Sequence, residues 1–242
     1  MQDINILGLI PARGGSKSIK LKNLHPLLGK PLLSYICEVA EKSKSLSHKA
    51  MSSDHKDICS HVINNYKSID IIKRPKTIST DNSHVKETIN QALDFYLKKG
   101  ITFNSVALLQ PTSPFLEPKV LDDLINILVN KPEYNAIQSV QEIAHNSHAF
   151  NQRIIDNTDK SVRFYFEDKR EKMFNKQKKE KLYKFSNCVI TRVNKDSNKI
   201  DSVFKKPSLS YLIEDHFSSL DVDSLDEFEI AEALMKHRMG DN

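Results

Sequence analysis

Three stretches of the chain bring together side chains suited to holding phosphate and a metal ion. In the first, Pro11-Ala-Arg-Gly-Gly-Ser-Lys17 is followed closely by Lys20, Lys22 and Asn23. Arg13 offers an anion a two-pronged guanidinium, the lysines add point charge, and paired glycines can adopt φ angles that turn backbone N–H groups toward a phosphate. Two common phosphate loops do not match: the chain has neither Gly-x-x-x-x-Gly-Lys-Ser/Thr nor Gly-x-Gly-x-x-Gly here. Read alone, the same stretch also fits a tight basic surface turn. In the second, Asp221 and Asp223 bracket Val222 at the end of an apparent strand over 217–222. Two residues apart on extended chain, both carboxylates share a face. Such a pair suits Mg²⁺, which takes one or two carboxylates and fills its shell with water and phosphate oxygens. The alternative is that Asp223 helps cap a helix starting at Ser224 while Asp221 is solvated. In the third, Leu109-Gln-Pro-Thr-Ser-Pro114 leaves an apolar run through a proline-stiffened loop with three hydrogen-bonding side chains, as a substrate-recognition loop or an ordinary turn would.

The elements that must position these residues alternate. Residues 4–10 are a nearly continuous apolar run, the pattern of a strand buried on both faces of a parallel sheet. A loop over 11–31 leads to a helix in which Leu32, Leu33, Ile36, Val39 and Ala40 recur at helical spacing after Pro31. Strands follow at 49–52, 69–73, 106–109 and 136–140. Helices follow around Ile58 and Val62, over 84–99 with Gly100 as stop, and from Pro118 through Leu128. Ser224-x-x-Glu227 is a capping box opening a C-terminal helix. The alternation predicts an α/β fold, an open and mostly parallel sheet with helices on both faces, whose ligands lie beyond the carboxyl ends of the strands. Over about 141–185 it lapses into charged and aromatic residues. This predicts an excursion from one domain spanning 1–242, meeting another subunit.

Composition narrows the possibilities. With 242 residues, 39% of them apolar, the chain can bury a sizeable core, and no apolar run approaches the roughly 20 residues of a membrane span. Residues 1–10 lack a basic segment before the apolar run and a small-residue cleavage site, so a cytoplasmic protein is expected. Cys37, Cys59 and Cys188 are odd in number and far apart, which fits reduced, structural thiols. Residues 160–184 hold ten of the 36 bases and four of the 31 acids, so this segment carries +6 while the remainder balances at −1. The basicity is local and points to a negatively charged partner there. Bases interleaved with Phe164, Tyr165, Phe166, Phe174 and Tyr183 also suit single-stranded nucleic acid. A polyanion binder of that kind is the rival reading, and it leaves the other three clusters without a role.

Taken together, the clusters resemble those of the acylneuraminate cytidylyltransferases, the CMP-sialic acid synthetases, including the enzymes that activate legionaminic and pseudaminic acids. The resemblance covers nearly the whole chain. It rests on Ala12-Arg-Gly-Gly-Ser-Lys17 through Lys22-Asn23, Gly29-Lys-Pro31, Ser52-Ser-Asp54, Arg74-Pro75, Asp81, Leu109-Gln-Pro-Thr-Ser-Pro114 and Asp221-Val-Asp223, in the family's order and approximate spacing. The resemblance implies a nucleotide-diphospho-sugar transferase type of fold and transfer of CMP from CTP to the anomeric hydroxyl of a nine-carbon keto-sugar acid, with release of pyrophosphate. It implies a nucleotide site of Ala12, Arg13, Gly14, Gly15, Ser16, Lys22 and Asn23, bordered by Arg74 and Asp81. It places Gln110, Lys176 and Gln177 at the sugar, and Mg²⁺ on Asp221 and Asp223. Arg13, Lys22, Asp221 and Asp223 would carry catalysis through positioning and charge neutralisation, without a covalent nucleophile. A homodimer is implied, the basic excursion lending groups to the partner's site, with no nucleic-acid or membrane partner. Departures from the family's pattern are Ser18 in place of glycine, Lys20 in place of proline, and Asn175-Lys-Gln177 and Ser186-Asn-Cys188 where the family has an Arg-Arg-Gln-type run and an Asn-Gly strand, at a spacing one residue longer. An eight-carbon keto-deoxy sugar acceptor and a catalytically lapsed paralogue are the nearest alternatives.

Overall fold

The computed structural model describes residues 4–16, 18–173 and 179–240. The first apolar run is β1 (Ile6–Pro11), followed by a two-residue hairpin of β2 (Pro26–Leu27) and β3 (Lys30–Pro31) inside the long loop. Its turn residues Leu28 and Gly29 both have positive φ. Then come α1 (Leu32–Lys42), β4 (His48–Ser53), α2 (Lys56–Asn65), β5 (Asp70–Lys73), α3 (Val85–Leu97), β6 (Ser105–Leu109), α4 (Pro118–Val129) and β7 (Ala136–Glu142). A small ribbon of β8 (Arg153–Ile155) and β9 (Val162–Phe164) with α5 (Glu167–Lys172) occupies the stretch where alternation lapses. The chain returns through β10 (Tyr183–Arg192) and β11 (Ser208–Leu212) to α6 (Leu225–Gly240).

Seven strands form one sheet in the order β11-β7-β10-β6-β1-β4-β5. All of its neighbours pair in parallel except β10, which runs antiparallel to both β6 and β7. The double-sided apolar character of β1 is used on both faces. Ile6 and Ile10 pack with α1, α2 and α4, whereas Leu7 and Leu9 pack with Ile89, Ala92, Leu93 and Tyr96 of α3. Each fully buried Leu or Ile contributes roughly 1.5–3 kcal/mol of transfer free energy, so this two-sided burial fixes the register of the central strands. Cys37 and Cys188 lie in that core, and burial pushes the Cys188 thiol up to about 12.

Three expectations need correction. The stretch 217–222 is not a strand: a 3₁₀ turn, His216–Ser219, leads into extended chain without a sheet partner. Its backbone groups are claimed outside any sheet: Ser218, Leu220 and Val222 N–H donate to the carbonyls of Asp215, Phe217 and Thr112, Asp215 Oδ1 accepts from Phe217 N–H, and Ser218 C=O accepts from Asn187 Nδ2. β10 and β11 were not anticipated, because their partners lie far away in sequence and neither stands in a clean strand–helix alternation. The loop after β1 contains the β2–β3 hairpin and a 3₁₀ turn, Lys22–Leu24, entered through Leu21 in the left-handed region.

Candidate active site

The carboxyl ends of β1, β5 and β6 converge on a cleft of about 400 Å³. Arg13, Gly15, Ser16, Lys22 and Asn23 enter from the loop after β1, Arg74 and Asp81 from the connection after β5, and Gln110 from the loop after β6. Asp221 and Asp223 reach the same cleft from the segment before α6. The glycine turn and the acidic doublet, some two hundred residues apart in sequence, therefore face one cavity. Lys176 and Gln177 lie outside the described residues. Ala12 does not line the cleft; it is buried, and its N–H donates to Ser52 C=O at 3.0 Å, locking the loop to β4.

The glycine pair works differently from the expectation. Neither Gly14 nor Gly15 has positive φ. The Gly14 N–H is taken by Asp54 Oδ1 at 2.8 Å and so is not free for an anion. What Gly14 needs is space: a Cβ there would stand 2.7 Å from His55 Cδ2 and 2.8 Å from its Cβ. His55 caps α2 by accepting from Asp57 N–H, so it cannot withdraw freely. Gly14→Ala is expected to lower stability by about 1–3 kcal/mol, the ordinary cost of overpacking, and to displace the loop from the cleft. Gly15→Ala, with nothing within 4 Å, is expected to be silent. Urea midpoints of the two variants check the contrast.

Charges in the cleft are paired with one another. Arg13 Nη1 meets Asp81 Oδ1 at 2.6 Å, and Lys22 Nζ meets Asp223 Oδ1. The Lys22 side chain is 11% exposed and that of Asp223 66%. Asn23 Nδ2 donates to Arg13 C=O at 2.9 Å, which fixes the backbone from which the guanidinium extends. Arg74 is buried and donates to Ser52 through Nε at 3.1 Å and Nη2 at 2.7 Å. Burial pulls its pKa down to about 10, partly offset by Asp54, so it stays cationic at neutral pH.

Asp221 differs from its neighbour. Its Oδ1 is buried without a partner, and burial raises its pKa, with Asp223 adding to the shift while Thr112 and Lys22 oppose it. The doublet is held in place by Val222 N–H donating to Thr112 C=O at 2.8 Å, which ties it to the loop after β6. Further back, Asn187 lies in a bulge of β10 organised by Ser139 Oγ, which accepts from the N–H groups of Asn187 and Cys188 at 3.1 and 2.9 Å. Through Asn187, β10 holds the turn that feeds the doublet, a use of a bulge to aim groups at a site.

Sequence reasoning missed one wall of the cleft, made by Ile78, Thr80, Ser83, Val85 and Thr88. The available signal was the polar run Ser79-Thr-Asp-Asn-Ser83 in the connection that follows a strand's carboxyl end, where this class of sheet places ligands.

A model of one protein family, described as Cytidylyltransferase, matches residues 7–214. The chain belongs to the cytidylyltransferase family. Among curated relatives, a CMP-N,N'-diacetyllegionaminic acid synthase of Legionella pneumophila is 28% identical over 96% of this chain and 97% of its own length. An N-acylneuraminate cytidylyltransferase of Escherichia coli is 29% identical over 96% of this chain, which spans 52% of that protein. A solved CMP:2-keto-3-deoxy-manno-octonic acid synthetase complexed with CTP superposes with a TM-score of 0.69 over 97% of this chain and 99% of its own, at 16% identity, a likeness of fold. This cytidylyltransferase is thus an α/β nucleotidyltransferase. Among its described residues no helix is long and apolar enough to cross a membrane.

Proposed function

We propose that this cytidylyltransferase transfers CMP from CTP to the anomeric hydroxyl of a nine-carbon keto-sugar acid of the sialic, legionaminic or pseudaminic type. The observation that carries this reading is the convergence of the glycine turn, Gln110 and the acidic doublet on one cleft at the strand ends. The relatives named above support the acceptor class.

In the proposed reaction the anomeric hydroxyl oxygen attacks the α-phosphorus in line and its proton passes to solvent, a new oxygen–phosphorus bond forms, and the bond from the α-phosphorus to the oxygen bridging it to the β-phosphate breaks, the electron pair leaving with pyrophosphate. Arg13 and Lys22 bind phosphate oxygens and offset the charge that builds on them, and Asn23 holds the Arg13 backbone in place. Arg74 and Asp81 border the nucleotide, and Gln110 faces the acceptor. Both aspartates fit a divalent cation. Asp221 Oδ1 is an unpartnered buried oxygen, and a pair of carboxylates would leave the rest of a divalent cation's shell to phosphate and water. Mg²⁺ held there would supply positive charge against the triphosphate. Lys176 and Gln177 complete the sugar side of the proposal.

A homodimer is part of the same reading. Ile155, Val162 and Tyr165 of the ribbon are 63%, 60% and 57% exposed, a patch that a second copy would cover. Arg153 and Arg170 stack on Phe164, so bases and aromatics of this region engage one another. The decisive experiment measures pyrophosphate release with four nucleoside triphosphates crossed against sialic, legionaminic, pseudaminic and eight-carbon keto-deoxy acids, with and without Mg²⁺. Release confined to CTP, a nine-carbon acid and Mg²⁺ together is expected. Silence across every nine-carbon acid overturns the proposal.

A further inference from the structure

The main chain of Asp223 is gripped from two sides, by the loop after β1 and by the first turn of α6, two elements already packed together through Ile19, Leu27, Val222 and Phe228. Its C=O accepts from Ser18 Oγ at 2.5 Å, a contact across 205 positions that ties the loop after β1 to the doublet. Its N–H donates to Glu227 Oε2 at 2.7 Å. The same oxygen accepts from Ser224 N–H at 2.8 Å and Ser224 Oγ at 2.9 Å. A capping box ordinarily reaches the N-cap residue, and here the N-cap is Ser224. The Glu227 carboxylate reaches one residue further back and holds Asp223 as well.

The side chain of Asp223 is less constrained. It is mostly exposed, and its ion-pair partner among the described residues, Lys22, is itself drawn to phosphate in the proposed reaction. When Lys22 turns to a triphosphate, the Asp223 carboxylate loses its partner and is released toward a cation, while its backbone stays anchored at both N–H and C=O. Misplacement of a charged group by about 1 Å can cost on the order of 10²-fold in rate, so anchoring of this kind has a direct catalytic use.

Resting on the proposed metal–triphosphate site, we infer that Ser18 and Glu227 are positioning residues that clamp the Asp223 main chain, so that its carboxylate exchanges Lys22 for the divalent cation in place. Ser18, a departure from the family pattern, thereby gains a function in this chain.

The test uses Mn²⁺ as the probe and the full chain. Mn²⁺ affinity of the CTP-bound protein is read from water-proton relaxation enhancement, which separates protein-bound from free Mn²⁺–CTP. CTP affinity is measured separately by calorimetry in chelator. Ser18→Ala is expected to weaken Mn²⁺ binding about three- to tenfold, the range for loss of one hydrogen bond, while metal-free CTP affinity stays within about twofold. Ser18→Thr, which keeps the hydroxyl, is expected to restore it. Glu227→Ala is expected to give a loss of the same kind. Because that substitution also weakens the α6 cap, the Ser18 variants decide the matter. Unchanged Mn²⁺ affinity in Ser18→Ala, a parallel fall in both affinities, or failure of Ser18→Thr to rescue overturns the clamp. A wild-type protein that shows no enhancement with Mn²⁺ and CTP overturns the metal–triphosphate reading itself.

Discussion

Asp221→Asn is expected to lower turnover by at least about 10²-fold while leaving the thermal midpoint at pH 7 equal to or above that of the wild type. The two halves of this result have one cause. Asp221 Oδ1 is buried without a partner, and burial holds the carboxyl pKa above its ordinary value. A folded-state pKa above the unfolded one means that folding favours the neutral acid. Its stabilising contribution is complete below the unfolded pKa of about 3.9 and is lost as pH rises through the folded value. At neutral pH the charged carboxylate therefore costs stability, and a neutral amide of the same shape removes that cost. Melting curves of both proteins should converge toward acid pH, where both side chains are neutral. Activity moves the opposite way because the charge that strains the fold is the one proposed to face a metal-bound triphosphate. A variant that keeps wild-type rate and Mg²⁺ dependence would remove Asp221 from the ligand set. A variant that unfolds at a markedly lower temperature would contradict the assignment of a destabilising buried charge.

Arg13→Ala is expected to lower kcat/KM for CTP about ten- to 150-fold, the range for losing a hydrogen-bond partner of a charged group, with little change in stability. Arg13 and Asp81 side chains are 36% and 43% exposed, and an ion pair so open to water is worth about 0–1 kcal/mol. The pair in the ligand-free cleft is thus easily exchanged for phosphate, whose charge and geometry suit the guanidinium fork better. Arg13→Lys should recover only part of the loss, since an ammonium keeps the charge but not the fork. Steady-state kinetics at varied CTP and fixed acceptor separate the outcomes. Unchanged CTP kinetics in Arg13→Ala would exclude the proposed phosphate contact.

How much of this was legible without coordinates follows from the range of each interaction. The periodicity of Leu32, Leu33, Ile36, Val39 and Ala40, the continuous apolar run of β1, and the proline opening α4 are local signals, and all became the expected elements. The Ser224–Glu227 box is local too, and it forms. Chemical types were also legible: a basic glycine turn, a polar loop after a strand and an acidic doublet are compositions, and they supplied all but one wall of the cleft.

Tertiary structure alone decided how those pieces are used. The antiparallel insertion of β10 between β6 and β7 joins strands far apart in sequence, and a ten-residue strand carries no mark of its future neighbours. Gly14 proved necessary because His55, on another element, fills the space a side chain would need, not because of its φ. The apparent strand before the doublet was overruled by a local turn and by the loop after β6, whose carbonyls, with the side chains of Asp215 and Asn187, take up its backbone groups outside any sheet. Ser18, visible in the sequence only as an odd residue in a glycine's place, acquired a partner 205 positions away. Sequence alone thus determined which elements form and which chemistry they carry, since both depend on neighbours a few residues apart. Only the packed sheet decided which charges meet and which backbone groups are spoken for, because those depend on contacts that chain entropy leaves open until the core closes around them.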